Sequence, residues 1–163
     1  MATLSQLEGR DLHRYDPELP PGALEERSIY VTAQFRADVD KWLPGLEPAW
    51  TSEIKPIEQL AALLDDFCAG FELEHGTGFH ILRPADGGVW ELKSPDLRVF
   101  GWFYRRDCLI AHRMLPKDHI TKHRLYGALR NDVAAFRDQL DLDAPKHIPG
   151  NDPHDVLSNY HFP

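Results

Sequence analysis

The sequence predicts an α+β domain in which helices pack on a twisted antiparallel sheet of four to five strands. Two kinds of periodicity support this, because short apolar runs of alternating or β-prone character lie between segments with apolar residues at helical spacing. The chain has 163 residues, of which 42% are hydrophobic, which is enough for one core. The predicted order is β-α-α-β-β-β-β-α, with two N-terminal helices and one C-terminal helix on the sheet.

The first predicted strand and the first two helices lie between residues 29 and 70. Apolar and polar residues alternate over 29–35, which predicts a strand with one buried face. Helical spacing then predicts a short helix over 39–43 and a longer amphipathic helix over 57–67. Pro56 suits the first turn of the longer helix, and Gly70 suits its exit.

A four-strand meander is predicted next, followed by the last helix. β-prone runs over 79–83, 89–93, 97–104 and 108–115 are separated by short turns, one of which contains two glycines that can supply positive φ. Apolar residues over 125–140 fall near helical period, and Thr121 is the predicted N-cap.

Proline-rich segments flank the predicted domain. Residues 1–27 are expected to form an irregular N-terminal arm, residues 28–143 the α+β domain, and residues 144–163 a proline-rich C-terminal tail. Tyr160 and Phe162 are apolar enough for this tail to dock on another surface.

Composition restricts the classes of function and partner. A net charge of −8 argues against indiscriminate binding of nucleic acid, yet residues 97–130 contain eight cations and two anions. This basic window indicates either an anionic partner or a solvated face. The sequence lacks a long apolar span and a secretory pattern, and Cys68 and Cys108 are expected to be buried free thiols. These features favour a cytoplasmic protein without a membrane partner.

The strongest pattern is a succession of short motifs in the meander: VWELK over 89–93, LRVFGWF over 97–103, CLIAH over 108–112, and then Lys117. This succession resembles the central hairpins of RelE/HigB-type bacterial toxins. The preceding strand and two helices also follow the order of that family, so the resemblance covers roughly residues 28–140.

The resemblance implies the toxin of a type II toxin–antitoxin module. Such a protein is an endoribonuclease that cleaves mRNA on the ribosome and is neutralised by a cognate antitoxin protein. It implies no metal and no organic cofactor, because the 2′-hydroxyl of the substrate attacks the adjoining phosphate. This reaction needs neutralisation of the phosphorane charge and protonation of the departing 5′-oxygen.

The positions that match the family pattern are Lys93, Arg98 and Lys117, and the register of the two strands predicts that Lys93 and Arg98 lie side by side. His112 has a suitable side chain for proton transfer. Further RNA contacts are expected from basic residues and from tyrosines beside them, namely Arg105, Arg106, Arg113, Lys122, Tyr104 and Tyr126.

Several alternatives remain open from the residues alone. Lys93 and Arg98 also fit the solvent-facing positions of a sheet, and His112 fits a buried structural histidine. His119 and His123 have a spacing that metal ligands use, but without a nearby cysteine or paired acid we interpret them as an extension of the basic face. At the level of function, the alternative is a non-catalytic relative that binds a protein or regulates one.

Overall fold

The computed structural model describes residues 1–49, 53–73 and 78–158, and the fold is α+β with a six-stranded mixed sheet. The strands, in chain order, are β1 (Leu12–Arg14), β2 (Ser28–Thr32), β3 (Phe79–Ile81), β4 (Trp90–Lys93), β5 (Leu97–Arg105) and β6 (Cys108–Pro116). The helices are α1 (Leu4–Leu7), α2 (Ala33–Trp42), α3 (Pro56–Cys68), α4 (Lys117–His123), α5 (Tyr126–Gln139) and α6 (Pro153–Val156).

The predicted meander is present, but the prediction of a wholly antiparallel sheet of four to five strands is wrong. The strand order is β1-β2-β6-β5-β4-β3, and β3 to β6 pair antiparallel with their neighbours in sequence. β2 instead pairs parallel with β6, with Ser28 opposite Cys108. Alternation of side chains identifies a strand but carries no information about its direction.

The N-terminal segment differs from the irregular arm that was expected. It contains α1 and β1, and β1 adds an edge strand antiparallel to β2. Ala2 also forms a bridge with Leu142, so the start of the chain is tied to the segment after α5. β1 has only three residues, which is too short to produce a period in the sequence.

The first predicted strand ends three residues early. Thr32 is the N-cap of α2, and its hydroxyl accepts a hydrogen bond from the backbone N–H of Phe35 at 3.2 Å. Phe35 is buried as predicted, but it reaches the core from a helix. The N-cap at Thr32 therefore ends the strand, although the alternation of apolar and polar residues continues to residue 35.

The single C-terminal helix of the prediction is two helices in the structure. α4 begins directly after Pro116 and ends at His123, and the C-cap residue Arg124 has a positive φ of 53°. Thr121 lies within α4, where its hydroxyl donates to the carbonyl oxygen of Lys117 at 2.6 Å, so the prediction of Thr121 as the N-cap is wrong. The first turn after the strand provides Lys117, as described below.

Two cores lie on opposite faces of the sheet. On one face, α2 and α3 cover Ile29, Trp90, Val99 and Phe103, and residues Val156 and Leu157 of the C-terminal segment join them. On the other face, residues of α1, α4 and α5 cover the second set, which includes Tyr30, Phe100, Trp102 and Ile110. Burial of both faces explains why β5 has an almost continuous apolar sequence.

The remaining expectations concern the thiols, the membrane and the tail. Cys68 and Cys108 are free and buried, as predicted, and burial raises the pKa of Cys68 to about 12. Across residues 1–49, 53–73 and 78–158, none of the helices has the length and apolarity that crossing a bilayer demands. Tyr160 and Phe162 lie outside the described residues.

Candidate functional site

A basic cleft lies at the end of the β4–β5 hairpin. Lys93 pairs with Arg98 across the turn, as the register predicted, and Lys117 follows β6 next to them because Leu97 pairs with Pro116. The backbone N–H of Lys117 donates to the carbonyl oxygen of Asp96 at 2.8 Å. We define the basic cleft by Lys93, Ser94, Arg98 and Lys117, which line a cavity of about 600 Å³.

The rest of the lining of the basic cleft is less favourable to an anion. It includes Asp66 and Glu72, together with apolar groups such as Phe71. The pKa of Asp66 is raised, first because burial disfavours its charged form and then because Asp65 is adjacent. The site therefore combines three cations with two carboxyl groups.

Arg98 shapes the turn as well as lining the cleft. Its side chain is only 9% exposed, and Nη1 donates to the carbonyl oxygens of Ser94 at 2.6 Å and Leu97 at 2.8 Å. Its Nε lies 3.2 Å from Oε1 of Glu91 in a buried ion pair. Part of the Arg98 charge is therefore balanced within the protein.

Glu91 is the centre of a second group that the sequence did not reveal. Its side chain is 1% exposed, and Oε1 accepts a hydrogen bond from the Tyr126 hydroxyl at 3.0 Å while Oε2 lies 3.0 Å from Nε2 of His80. The pKa of Tyr126 is raised by burial and then by the charge of Glu91. The only signal for Glu91 in the sequence is its position two residues before Lys93 on the same face of β4.

The cavity beside this group, of about 380 Å³, is called the Glu91 pocket. It is lined by His80, Leu82, Arg83, Glu91, Lys93, Tyr126 and Gly127. Lys93 lines both the basic cleft and the Glu91 pocket, so the two cavities are neighbours. Tyr126 was expected to contact RNA, and the structure places it in this pocket.

His112 does not join the basic cleft. It lies on β6, faces α5 and is 3% exposed. Its Nδ1 lies 2.8 Å from the hydroxyl oxygen of Thr32, and its ring stacks on Phe136 with 4.0 Å between the ring centres. Nε2 lies 3.6 Å from Asp132. Desolvation lowers the pKa of His112 to about 4, with a smaller lowering by Arg113 and opposing effects of two acids. These contacts describe a structural histidine.

The expected RNA-binding cations on β5 and β6 also make internal contacts. Arg113 Nε pairs with Asp38 at 2.7 Å, and its Nη1 pairs with Asp132 at 3.0 Å. Together these bonds join β6 to α2 and α5. The phosphate role expected of Arg113 would require these pairs to break.

Arg105, Arg106 and Tyr104 hold the C-terminal segment. The guanidinium of Arg105 lies 3.8 Å from the centre of the Tyr104 ring and donates to the carbonyl oxygen of Pro145 at 2.9 Å. Arg106 donates to the carbonyl oxygen of His154 at 2.7 Å. The Tyr104 hydroxyl donates to the carbonyl oxygen of Asp143 at 3.2 Å, so each of these side chains serves the fold.

Lys122 and the paired histidines lie on α4, outside both cavities. The rings of His119 and His123 are 4.6 Å apart, and His119 also packs on Trp42 at 4.5 Å. Lys122 is exposed on the same helix. In the described part of the chain, His, Cys, Asp and Glu side chains form no group of three or more that could hold a metal ion.

Comparisons with protein-family models, with curated proteins and with solved structures find no match for this chain.

Proposed function

We propose that the protein is a RelE/HigB-type toxin of a type II toxin–antitoxin module, an endoribonuclease that cleaves mRNA on the ribosome. The observation that carries this proposal is the convergence of Lys93, Arg98 and Lys117 on one cleft. Cations held on strand ends and at a helix start suit a phosphate that gains charge in the transition state. The resemblance of the same residues to that toxin family adds support.

The proposed chemistry needs only the protein, the RNA and solvent water. The 2′-hydroxyl oxygen forms a bond to phosphorus, the bond from phosphorus to the 5′-oxygen breaks, and a 2′,3′-cyclic phosphate remains. Lys93 neutralises the phosphorane, and Lys117, which is exposed, donates a proton to the departing 5′-oxygen. The proton of the 2′-hydroxyl passes to water. Arg98 positions the turn at 94–96, which follows Lys93 and whose Asp96 accepts a hydrogen bond from the backbone of Lys117.

His112 has no part in this mechanism. Its nitrogens face Thr32 and Asp132, and its pKa of about 4 makes it neutral throughout the physiological range. The RNA contacts expected of Arg105, Arg106 and Arg113 are likewise left out of the proposal, since these side chains hold other segments of the protein.

A non-catalytic domain that binds a protein partner is the second candidate. The burial of Arg98 against Glu91 favours it, because an arginine whose charge is already balanced contributes less to a phosphate. The two candidates differ in one property that is simple to measure, which is cleavage of mRNA.

Induced expression of the chain in bacteria tests the proposal. We expect growth arrest and mRNA fragments that end in cyclic phosphate, and we expect Lys117→Ala and Lys93→Ala to lower the cleavage rate about 100-fold. Lys41→Ala is the matched control, since Lys41 is an exposed lysine on α2 outside the basic cleft. Normal growth with intact mRNA at high expression would reject the nuclease and favour the binding domain.

A further inference from the structure

Phe71 is an exposed aromatic side chain in the basic cleft. It follows α3 and is 49% exposed, and it is the one ring among the large apolar side chains that the described part of the chain leaves open to water. A single apolar group on a surface needs no explanation by itself. Phe71, however, lines the same cavity as the three cations Lys93, Arg98 and Lys117. The role of its ring is therefore tied to the ligand of that cavity.

The backbone of Phe71 is held in place while its ring stays exposed. Its N–H donates to the carbonyl oxygen of Asp66 at 3.1 Å, and its carbonyl oxygen accepts a hydrogen bond from Nη1 of Arg27 at 3.0 Å. Arg27 is 3% exposed, and its Nη1 also donates to the carbonyl oxygen of Phe67 at 3.2 Å, which ties residue 71 to the end of α3. A ligand that packs on the ring of Phe71 does not have to order this segment first.

The cations and the apolar groups of the basic cleft come from different elements. The three cations come from β4, β5 and the start of α4, whereas α3 and the residues directly after it supply Leu63, Asp66, Phe71 and Glu72. The carboxyl groups of Asp66 and Glu72 disfavour a second phosphate beside the ring of Phe71. The ring therefore suits an uncharged, flat part of a ligand whose anionic part is bound by the cations.

We infer that the base next to the cleaved phosphate stacks on Phe71, and that this contact favours purines over pyrimidines. The inference rests on the proposed function, which places the phosphate at Lys93 and Lys117. Unpaired RNA bases stack on exposed aromatic side chains, and purines gain more from stacking because their flat face is larger. The cavity of about 600 Å³ is within the range of about 300 to 1,000 Å³ that is typical of ligand pockets, so it has room for a phosphate and a base together.

Binding of a nucleotide with and without its base tests the inference on the unaltered protein. Adenosine 3′-monophosphate should bind at least about tenfold more tightly than ribose 3-phosphate, which has the same phosphate but no base. Uridine 3′-monophosphate should have an affinity between these two. Equal affinity for adenosine 3′-monophosphate and ribose 3-phosphate would overturn the inference, and so would a failure of the protein to bind adenosine 3′-monophosphate. Uridine 3′-monophosphate bound as tightly as the adenosine compound would overturn the purine preference.

Substitutions of Phe71 separate stacking on the ring from packing of an apolar group. Phe71→Leu keeps an apolar side chain but removes the ring, and it should lower the affinity for adenosine 3′-monophosphate to that for ribose 3-phosphate. Phe71→Tyr should keep the wild-type affinity, since the ring is retained. Ile57→Ala is the matched control, because Ile57 is a 58% exposed apolar residue on α3 outside the basic cleft. Wild-type affinity for adenosine 3′-monophosphate in Phe71→Leu would place the base elsewhere.

The positions of cleavage in mRNA separate this inference from the proposed function. Cleavage next to purines by the wild type, with loss of that preference in Phe71→Leu, supports both. Cleavage without any base preference in the wild type overturns the inference about Phe71 and leaves the nuclease standing. If the protein cleaves no mRNA, yet Phe71→Leu removes its preference for adenosine 3′-monophosphate over ribose 3-phosphate, the stacking role of Phe71 is supported and the nuclease is rejected.

Discussion

Glu91 and Arg98 form a buried ion pair, and replacing either member alone leaves the charge of the other unpaired. Glu91→Gln leaves the guanidinium of Arg98 without its carboxylate in a site that excludes water, which we expect to lower the free energy of unfolding by about 3 kcal/mol. Arg98→Met has a similar effect because it leaves the Glu91 charge unpaired. Urea unfolding of both single variants measures these losses.

The double variant Glu91→Gln/Arg98→Met is the control for that pair. Because it removes both charges together, its loss of stability should be smaller than the sum of the two single losses by about 1 kcal/mol or more. Additive losses would mean that the ion pair contributes nothing to the fold.

His112 gives the protein a dependence of stability on pH. Its pKa is about 4 in the folded state against an ordinary 6.5, because burial disfavours the charged ring. The unfolded state therefore binds the extra proton in this range, and stability falls as the pH drops from about 6.5 to about 4. We expect as much as about 3 kcal/mol to be lost through this residue.

The matched variant for this prediction is His112→Gln, which can still bond to Thr32 but does not titrate. Denaturant unfolding at pH 7 and at pH 4 should show a smaller loss for the variant than for the wild type. Equal losses in both proteins would assign the acid sensitivity to carboxyl groups instead.

For single residues, the sequence predicts which side chains lie side by side on a hairpin better than it predicts what those side chains contact elsewhere. The turn at 94–96 sets the register, so Lys93 beside Arg98 follows from the chain alone. The partner of Arg98 does not follow, because Glu91 meets Tyr126 only after α5 packs on the sheet. The surroundings of His112 do not follow from the sequence either, since its neighbour Phe136 lies on a distant helix.

Among the elements, β5 has one position at which only glycine fits. Gly101 lies at a shift of register between β5 and β6, and a Cβ added there would overlap the carbonyl oxygen of Ile110. We expect Gly101→Ala to destabilise the fold by about 2 kcal/mol, since a rigid backbone cannot move away cheaply. Thermal unfolding measures the loss.

Gly127 offers the opposite case within α5. Apart from its chain neighbours and the backbone of its own helix, no described atom lies within 4 Å of a Cβ added at Gly127, and the residue is helical. Gly127→Ala should therefore stabilise the protein by about 0.5 to 1 kcal/mol. If Gly127→Ala destabilises the protein as much as Gly101→Ala, the loss in Gly101→Ala cannot be assigned to the overlap with the carbonyl oxygen of Ile110.

The elements that the sequence missed are those whose existence depends on a partner. β1 consists of Leu12, His13 and Arg14 and is a strand because β2 lies beside it. α4 starts where β6 ends, so its N-terminus is fixed by the strand and not by a capping residue such as Thr121. Long periodic segments, such as α3, needed no partner to be recognised.

The C-terminal segment completes the core on the α2–α3 face of the sheet. Val156 and Leu157 are completely buried in the core on the α2–α3 face, and the N–H of Asp107 donates to the carbonyl oxygen of Val156 at 2.9 Å. We expect Leu157→Ala to lower the free energy of unfolding by about 3 kcal/mol. Leu24→Ala, at a side chain that is 79% exposed, should leave it unchanged within error.

The parallel pairing of β2 with β6 has a consequence for synthesis. Ser28 meets Cys108, a residue 80 positions further along the chain, so β2 has no partner on that side until most of the polypeptide has left the ribosome. Contacts of such sequence separation form late. Until then the apolar run of Ile29, Tyr30 and Val31 is an unprotected strand edge in the nascent chain, and this is where a chaperone would be needed first.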